Sequence, residues 1–362
     1  MVNPTVNAVV AECYDRARSE ARAATEALVG GEEIGPLHGL PFGVKDLNDT
    51  QGLVTTYGSP IYRDYLPEKD ELLVAKLRRA GGIVLGKTAT PEFGAGGNTT
   101  VNAVHGYTRN PFDPSRACGG SSGGSGVALA CGMMPICTGS DSGGSLRKPA
   151  TFNGVAAIRP TTGLVPSDKR GVGFTNFSVQ GPMARTAEDC ALMLSVMVGN
   201  DVEDPLSFNV SGADYRLVPE IDLSSLRVAV STDFGWAPVE NGIRECFKAR
   251  LSGFRNVFKS CDQFDPPLDS ALDVFWVLRG VQFLAGHLDR YRSHRDQLGE
   301  NIVANVEAGL KMKPEQIGWA NAEHTRLYRE FQKMFDEYDL LITPGQPITP
   351  TAVEQRNVTH VD

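Results

Sequence analysis

Two glycine-lined runs limit what this chain can fold into. Residues 119–126 read Gly-Gly-Ser-Ser-Gly-Gly-Ser-Gly, and residues 139–145 read Gly-Ser-Asp-Ser-Gly-Gly-Ser. Glycine lacks a Cβ, so it enters backbone conformations closed to other residues and lets a ligand approach main-chain N–H groups closely. Each run therefore reads as a turn that surrounds hydroxyls with backbone. The apolar segment between them, 127–137, reads as a buried element, so that both turns return to one place.

The rest of the chain supplies the body on which such turns sit. With 362 residues, 41% of them hydrophobic, it can bury a large core as one big α/β domain or two smaller ones. Residues 6–28 carry alanine and charged residues at helical spacing, ended by Gly30-Gly31. Residues 41–45 read as a short strand with Lys45 at its end, 72–80 as an amphipathic helix stopped by Gly81-Gly82, and 83–85 as a buried strand. Residues 154–165 and 171–183 read as strands separated by turns, and 187–198 as a helix. After a polar connection, 200–222, come a buried strand at 226–231, helices at 241–259, 269–291 and 314–338, and a strand at 339–344 returning to the core. Alternating strands and helices predict an α/β fold with a largely parallel or mixed sheet.

Charge and cysteine usage narrow the function. A net charge of −8 with no basic run argues against an electrostatic grip on nucleic acid or an anionic membrane. Seven scattered cysteines without a CxxC pair fit a reducing cytoplasm better than a disulfide framework or a zinc ribbon. No ligand cluster with metal spacing stands out, and a small molecule is the default partner.

Three motifs compete. Gly81-x-x-x-x-Gly86-Lys87-Thr88 matches a P-loop by letters, but it follows a helix and its interior is strand-like, whereas a phosphate cradle must open a helix. Gly119-x-Ser121-x-Gly123 and Gly120-x-Ser122-x-Gly124 fit a nucleophile elbow, which would need an acid and a histidine later in the chain. His287, His294 and His324 lie on or beside helical stretches and read better as solvated side chains, and the elbow gives no account of the second glycine run. This Ser-His-Asp hydrolase reading stays a minor alternative. Lys45, in Pro-Phe-Gly-Val-Lys-Asp, is either a surface lysine paired with Asp46 or a desolvated amine whose pKa falls until it can accept a proton.

Lys45 in Gly-Val-Lys-Asp, Ser121 in Gly-Gly-Ser-Ser-Gly-Gly-Ser and Ser145 in Ser-Asp-Ser-Gly-Gly-Ser-Leu-Arg-Lys-Pro-Ala, in that order, resemble the amidase signature family. Gly35-Pro-Leu-His-Gly-Leu-Pro-Phe, Gly86-Lys-Thr, Arg159-Pro-Thr-Thr-Gly and Gly181-Pro-Met-Ala-Arg-Thr are similar to further landmarks of that family. The resemblance is close over residues 33–200 and looser beyond. It implies a single large α/β domain with a mixed central sheet flanked by helices, divided here into a core with the catalytic loops (1–205), a strand plus helical cover (206–338) and a return strand with a tail (339–362). It also implies terminal segments missing beside the family, since the chain stops soon after Ile342-Thr-Pro.

The roles implied by the resemblance are Ser145 as acylated nucleophile, Ser121 as a bridging serine on a cis peptide, and Lys45 as base. Backbone N–H groups of Ser142, Gly143 and Gly144, together with that of Ser145, would then form the oxyanion hole. Asp141 and Arg147 beside them read as an ion pair that holds the loop. The expected reaction is hydrolysis of a carboxylic amide in the cytoplasm, without cofactor, with a homodimer left open. The family also contains the glutaminase component of a tRNA-dependent amidotransferase. The sequence Phe-Thr-Asn-Phe-Ser-Val-Gln-Gly-Pro at 174–182 departs from the Ser-Leu-Asp-Gln pattern associated with that component, which favours a free amidase.

Overall fold

The computed structural model describes residues 2–361 and divides into two compact units. The first comprises the residues up to Val218 with His294–Ile302 and Pro350–Asn357. Its elements are α1 (Asn3–Val6), β1 (Val9–Glu12), α2 (Tyr14–Val29), β2 (Pro41–Lys45), α3 (Leu72–Arg79), β3 (Ile83–Thr88), β4 (Thr100–Asn102) and β5 (Gly106–Thr108). These are followed by α4 (Gly123–Ala130), β6 (Ile136–Asp141), α5 (Arg147–Asn153), β7 (Ala156–Ala157), β8 (Val179–Ala184), α6 (Ala187–Met197) and α7 (Ala213–Arg216).

Six strands form one sheet in the order β1-β3-β2-β6-β8-β7. β2 runs parallel to both neighbours, while β1 against β3, β6 against β8 and β7 against β8 are antiparallel, so the sheet is mixed. Successive strand residues point to opposite faces, and the core divides accordingly. Ile136 and Ala184 join Phe42, Val44 and Val84 in one cluster, packed with Leu73, Val74 and Leu77 of α3 and Met193, Leu194 and Met197 of α6. Their sequence neighbours Cys137 and Met183 join the other cluster, with Val127, Ala128 and Leu129 of α4 and Ala150 of α5. Helices thus cover both faces, which is why β2 tolerates a nearly continuous buried run. α6 starts where Thr186 Oγ1 accepts the Asp189 N–H at 3.1 Å, which satisfies one of the unpaired N–H groups of a helix start.

Local pattern and structure part company at several points. The expected helix at 6–28 is interrupted: Val9–Glu12 pairs with β3 as an edge strand, and the helix begins only at Tyr14. The apolar segment 127–137 is two elements, the end of α4 and the start of β6, turned at Gly132 with φ 67°. Of the strands expected at 154–165 and 171–183, only the two-residue β7 and the stretch Val179–Ala184 are extended ladders. Gly86, Lys87 and Thr88 lie inside β3 rather than at a helix start.

The second unit holds Pro219–Ser293, Val303–Thr349 and residues from Val358. Its chain contributes β9 (Arg227–Val230), α8 (Asn241–Phe254), β10 (Ser260–Gln263), α9 (Ala271–His294), α10 (Glu300–Leu310), α11 (Pro314–Glu337) and β11 (Leu340–Ile342); His294 of α9 and the first residues of α10 belong to the first unit. β9 runs parallel to both β10 and β11, and the sheet buries Val228, Val230 and Cys261 against Phe247, Leu251 and Ile342. The strands expected at 226–231 and 339–344 therefore pair in a three-stranded sheet of their own, joined by an unanticipated β10, rather than returning to the main one. No helix among the described residues is long and apolar enough to cross a membrane.

Candidate active site

Lys45 ends β2, and the sheet carries it inward until its side chain is fully buried. The surface-lysine reading is overturned, since Asp46 lies 3.8 Å from Lys87 Nζ instead. Three hydroxyls surround the Lys45 amine: Ser121 Oγ at 2.7 Å, Ser122 Oγ at 2.9 Å and Ser140 Oγ at 2.9 Å. Burial lowers its pKa to about 7, against the opposing pull of the Asp141 charge. A neutral amine has two N–H bonds and one lone pair. Ser122 donates its hydroxyl proton to the Ser140 carbonyl at 3.3 Å and so can only accept from Lys45. The lone pair is thereby available for a proton from another hydroxyl.

The first glycine run places Ser121. The Gly120–Ser121 peptide is cis, and Ser121 is 3% exposed. Gly94, at φ 77°, lies over it: a Cβ there would sit 3.2 Å from Ser121 Oγ, so a side chain at this position would crowd the hydroxyl. Pro91, Glu92 and Ala95 of the same loop line a cavity of about 460 Å³. Glu92 secures that loop by accepting from Ser59 Oγ and from the Gly299 N–H, both at 2.7 Å.

The second run is tied to the first by the Ser122 N–H, which donates to the Ser145 carbonyl at 3.2 Å. Ser145 is half-buried and directly precedes the turn into α5. Asp141, wholly buried, organises this loop from within. It accepts the Gly144 N–H at 2.8 Å, the Leu146 N–H at 3.1 Å and two Arg147 nitrogens at 3.0 Å each, with Arg159 Nε at 3.6 Å. The Asp141–Arg147 pair thus holds the loop. The Gly144 N–H, one of the expected oxyanion donors, is engaged by Asp141. Among the described residues, the N–H groups of Ser142, Gly143 and Ser145 meet no acceptor.

Burial works against the Asp141 charge, but the Arg147 guanidinium and the two N–H groups outweigh it and hold the carboxyl at about 2. Because this lies below the unfolded value of about 3.9, Asp141 contributes stability that is full above pH 4 and lost as pH falls through 2. Asp141→Asn is expected to destabilise the chain by about 2 kcal/mol at pH 7, less than a sealed ion pair would lose, since Arg147 is 55% exposed and can rehydrate. Urea unfolding at pH 7 and at pH 3 measures it, and the gap between variant and native chain is expected to narrow at the lower pH.

A second buried lysine supports the loop that follows Lys45. Lys87, beside Val44 in the sheet, donates to the Asn48 carbonyl, to Thr50 Oγ1 at 3.2 Å and to Thr55 Oγ1 at 3.0 Å. Burial drives both Lys87 and Asp46 toward their neutral forms, and each resists that for the other. Lys87→Met is therefore expected to cost about 3 kcal/mol or more, by leaving Asp46 buried alone, and adding Asp46→Asn is expected to recover part of it. Chemical denaturation of the single and double variants reads both effects.

Ser140 was not anticipated as a site residue, and Ser122 and Lys87 were read only within the nucleophile-elbow and P-loop patterns, not as a partner of Lys45 and a support of its loop. The available signal for Ser140 was the two-residue spacing of Thr138 and Ser140 on β6. Thr138 Oγ1 accepts the Lys45 backbone N–H at 2.8 Å, and Ser140 meets the same residue's amine. His287 and His324 are half-buried on α9 and α11, and the group meeting the glycine-turn serine is an amine rather than an imidazole.

Comparison with known proteins covers the whole length of the chain. The sequence model of the Amidase family matches residues 1–362. An acylamidase of Rhodococcus erythropolis is 32% identical over 345 residues, covering 95% of this chain and 72% of that protein. The A component of the glutamyl-tRNA(Gln) amidotransferase of Alkaliphilus metalliredigens is 32% identical over 379 aligned residues, covering 97% and 77%. Among solved structures, a bacterial aryl acylamidase of the amidase signature enzymes superimposes with a TM-score of 0.87 at 26% identity, covering 97% of this chain and 74% of that one.

Proposed function

Because the chain belongs to the Amidase family, enzymes that hydrolyse the C–N bond of amides, we propose that it is a free amidase working through an ester on Ser145. In this reading neutral Lys45 takes a proton from Ser121 as Ser121 takes one from Ser145, which makes an otherwise weak alcohol nucleophile competent. The Ser145 oxygen bonds to the amide carbon, and the carbonyl oxygen gains negative charge facing the N–H groups of Ser142, Gly143 and Ser145. The proton held by Lys45 then passes back through Ser121 to the departing nitrogen, releasing ammonia or an amine. Water cleaves the ester by the same route and regenerates Ser145 with the free acid.

One observation carries this reading: a buried amine with a lowered pKa lies 2.7 Å from Ser121 Oγ of one glycine turn, and the next residue of that turn, Ser122, donates its backbone N–H to the carbonyl of Ser145, the residue that would be acylated. The amidotransferase component is the second reading, since its identity to this chain equals that of the acylamidase. The two are separated by assaying the chain alone on an N-acyl aniline such as 4-nitroacetanilide and on glutamine. Release of 4-nitroaniline without any partner is expected. Glutamine hydrolysis that appears only with the other amidotransferase components and charged tRNA would reverse the assignment.

A further inference from the structure

We propose that the second unit carries a carboxylate-binding site centred on Arg279. This residue lies midway along α9, half-buried, and its Nε donates to Asn305 Oδ1 of α10 at 2.8 Å. Its guanidinium carbon sits 4.5 Å from the Phe283 ring centroid, 5.9 Å from that of Phe275 and 6.0 Å from that of Trp276. Among the described residues no carboxylate comes within ion-pair distance of the guanidinium, and its two terminal nitrogens make no hydrogen bond. Burial pushes its pKa down to about 10, as expected of a cation that has lost water without gaining a counter-ion. His287, two turns further along α9, is held down to about 4 by burial and then by the charges of Arg290 and Arg279.

Aromatic faces compensate a guanidinium only in part, and a desolvated charge without an opposite partner is costly. The two free terminal nitrogens form a planar fork that matches the two oxygens of a carboxylate. Trp276, 53% exposed, and Phe275 stand beside that fork and offer an apolar wall. The ligand class is therefore an organic acid with an aromatic or aliphatic body rather than a bare inorganic anion.

Benzoate is the probe, with benzyl alcohol as a neutral control of similar shape. Calorimetric titration is expected to give saturable benzoate binding to the native chain, weakened about tenfold or more in Arg279→Gln, intermediate in Arg279→Lys, and little binding of benzyl alcohol. Binding is also expected to change tryptophan emission in the native chain, a change that Trp276→Phe removes. No benzoate binding by the native chain, native affinity in Arg279→Gln, or an emission change surviving in Trp276→Phe would each overturn the proposal. The Trp276 readout uses an intact Arg279, so it decides the matter even if Arg279→Gln folds poorly. None of these measurements involves turnover, so the outcome is independent of the proposed amidase reaction.

Discussion

Ser145→Ala is expected to lower kcat for amide hydrolysis by on the order of a million-fold, the scale seen when a catalytic serine is removed from a proton-relay site. The neighbouring serines cannot substitute. Ser121 is 3% exposed beneath Gly94, and Ser122 is sealed and commits its hydroxyl proton to the Ser140 carbonyl. Of Ser121, Ser122 and Ser145, only Ser145 is half-open, and it directly precedes the turn into α5. Among the described residues its hydroxyl makes no hydrogen bond that the change would break, so the unfolding free energy is expected to stay within about 0.5 kcal/mol of native. Steady-state kinetics together with urea unfolding separate lost chemistry from lost structure. Substantial turnover in a well-folded variant would move the nucleophile elsewhere.

Lys45 gives the second large effect. Its replacement by methionine, of similar length but unable to hold a proton, is expected to reduce kcat by about 10²–10⁴-fold, the usual contribution of general acid–base catalysis. The sign of the pH dependence follows from its chemistry. The amine must be neutral to accept a proton, and its pKa lies at about 7. For a neutral amide substrate, kcat/KM should rise with pH through about 7 and then level, falling roughly tenfold per unit on the acid side. Lys45→Arg retains hydrogen-bond donors and fills the site with a cation, but a guanidinium does not release its proton at neutral pH. The arginine variant should thus be as slow as the methionine variant, and the ionisation at 7 should vanish from both profiles. High activity in the arginine variant would mean that the position needs charge rather than basicity.

The parts of this site that could be read from the sequence were those encoded locally. Lys45 was placed because Pro-Phe-Gly-Val is short, apolar and strand-like, and β2 has the expected bounds, Pro41–Lys45. The glycine turns were legible because few other residues tolerate such close backbone approach: a Cβ on Gly124 would sit 2.2 Å from the Ala89 nitrogen. What stayed hidden was set by pairing between distant segments. Val9–Glu12 is a strand because β3 offers it an edge, although its surroundings carry a helical pattern. The Lys87–Asp46 pair joins residues on different strands and loops, and adjacent Lys45 and Asp46 invited the wrong local pairing. The loss of Gly144 from the free N–H groups arises from the way Asp141 folds back onto its own loop, which no residue spacing announces.

Intact-protein mass spectrometry after reaction with a fluorophosphonate tests the central claim most directly. The native chain is expected to gain the mass of one phosphonyl group, with the label on the peptide containing Ser145, while Ser145→Ala stays unlabelled and Lys45→Met labels far more slowly. Equal labelling of the native chain and Ser145→Ala, or a label recovered on Ser121, would contradict the account.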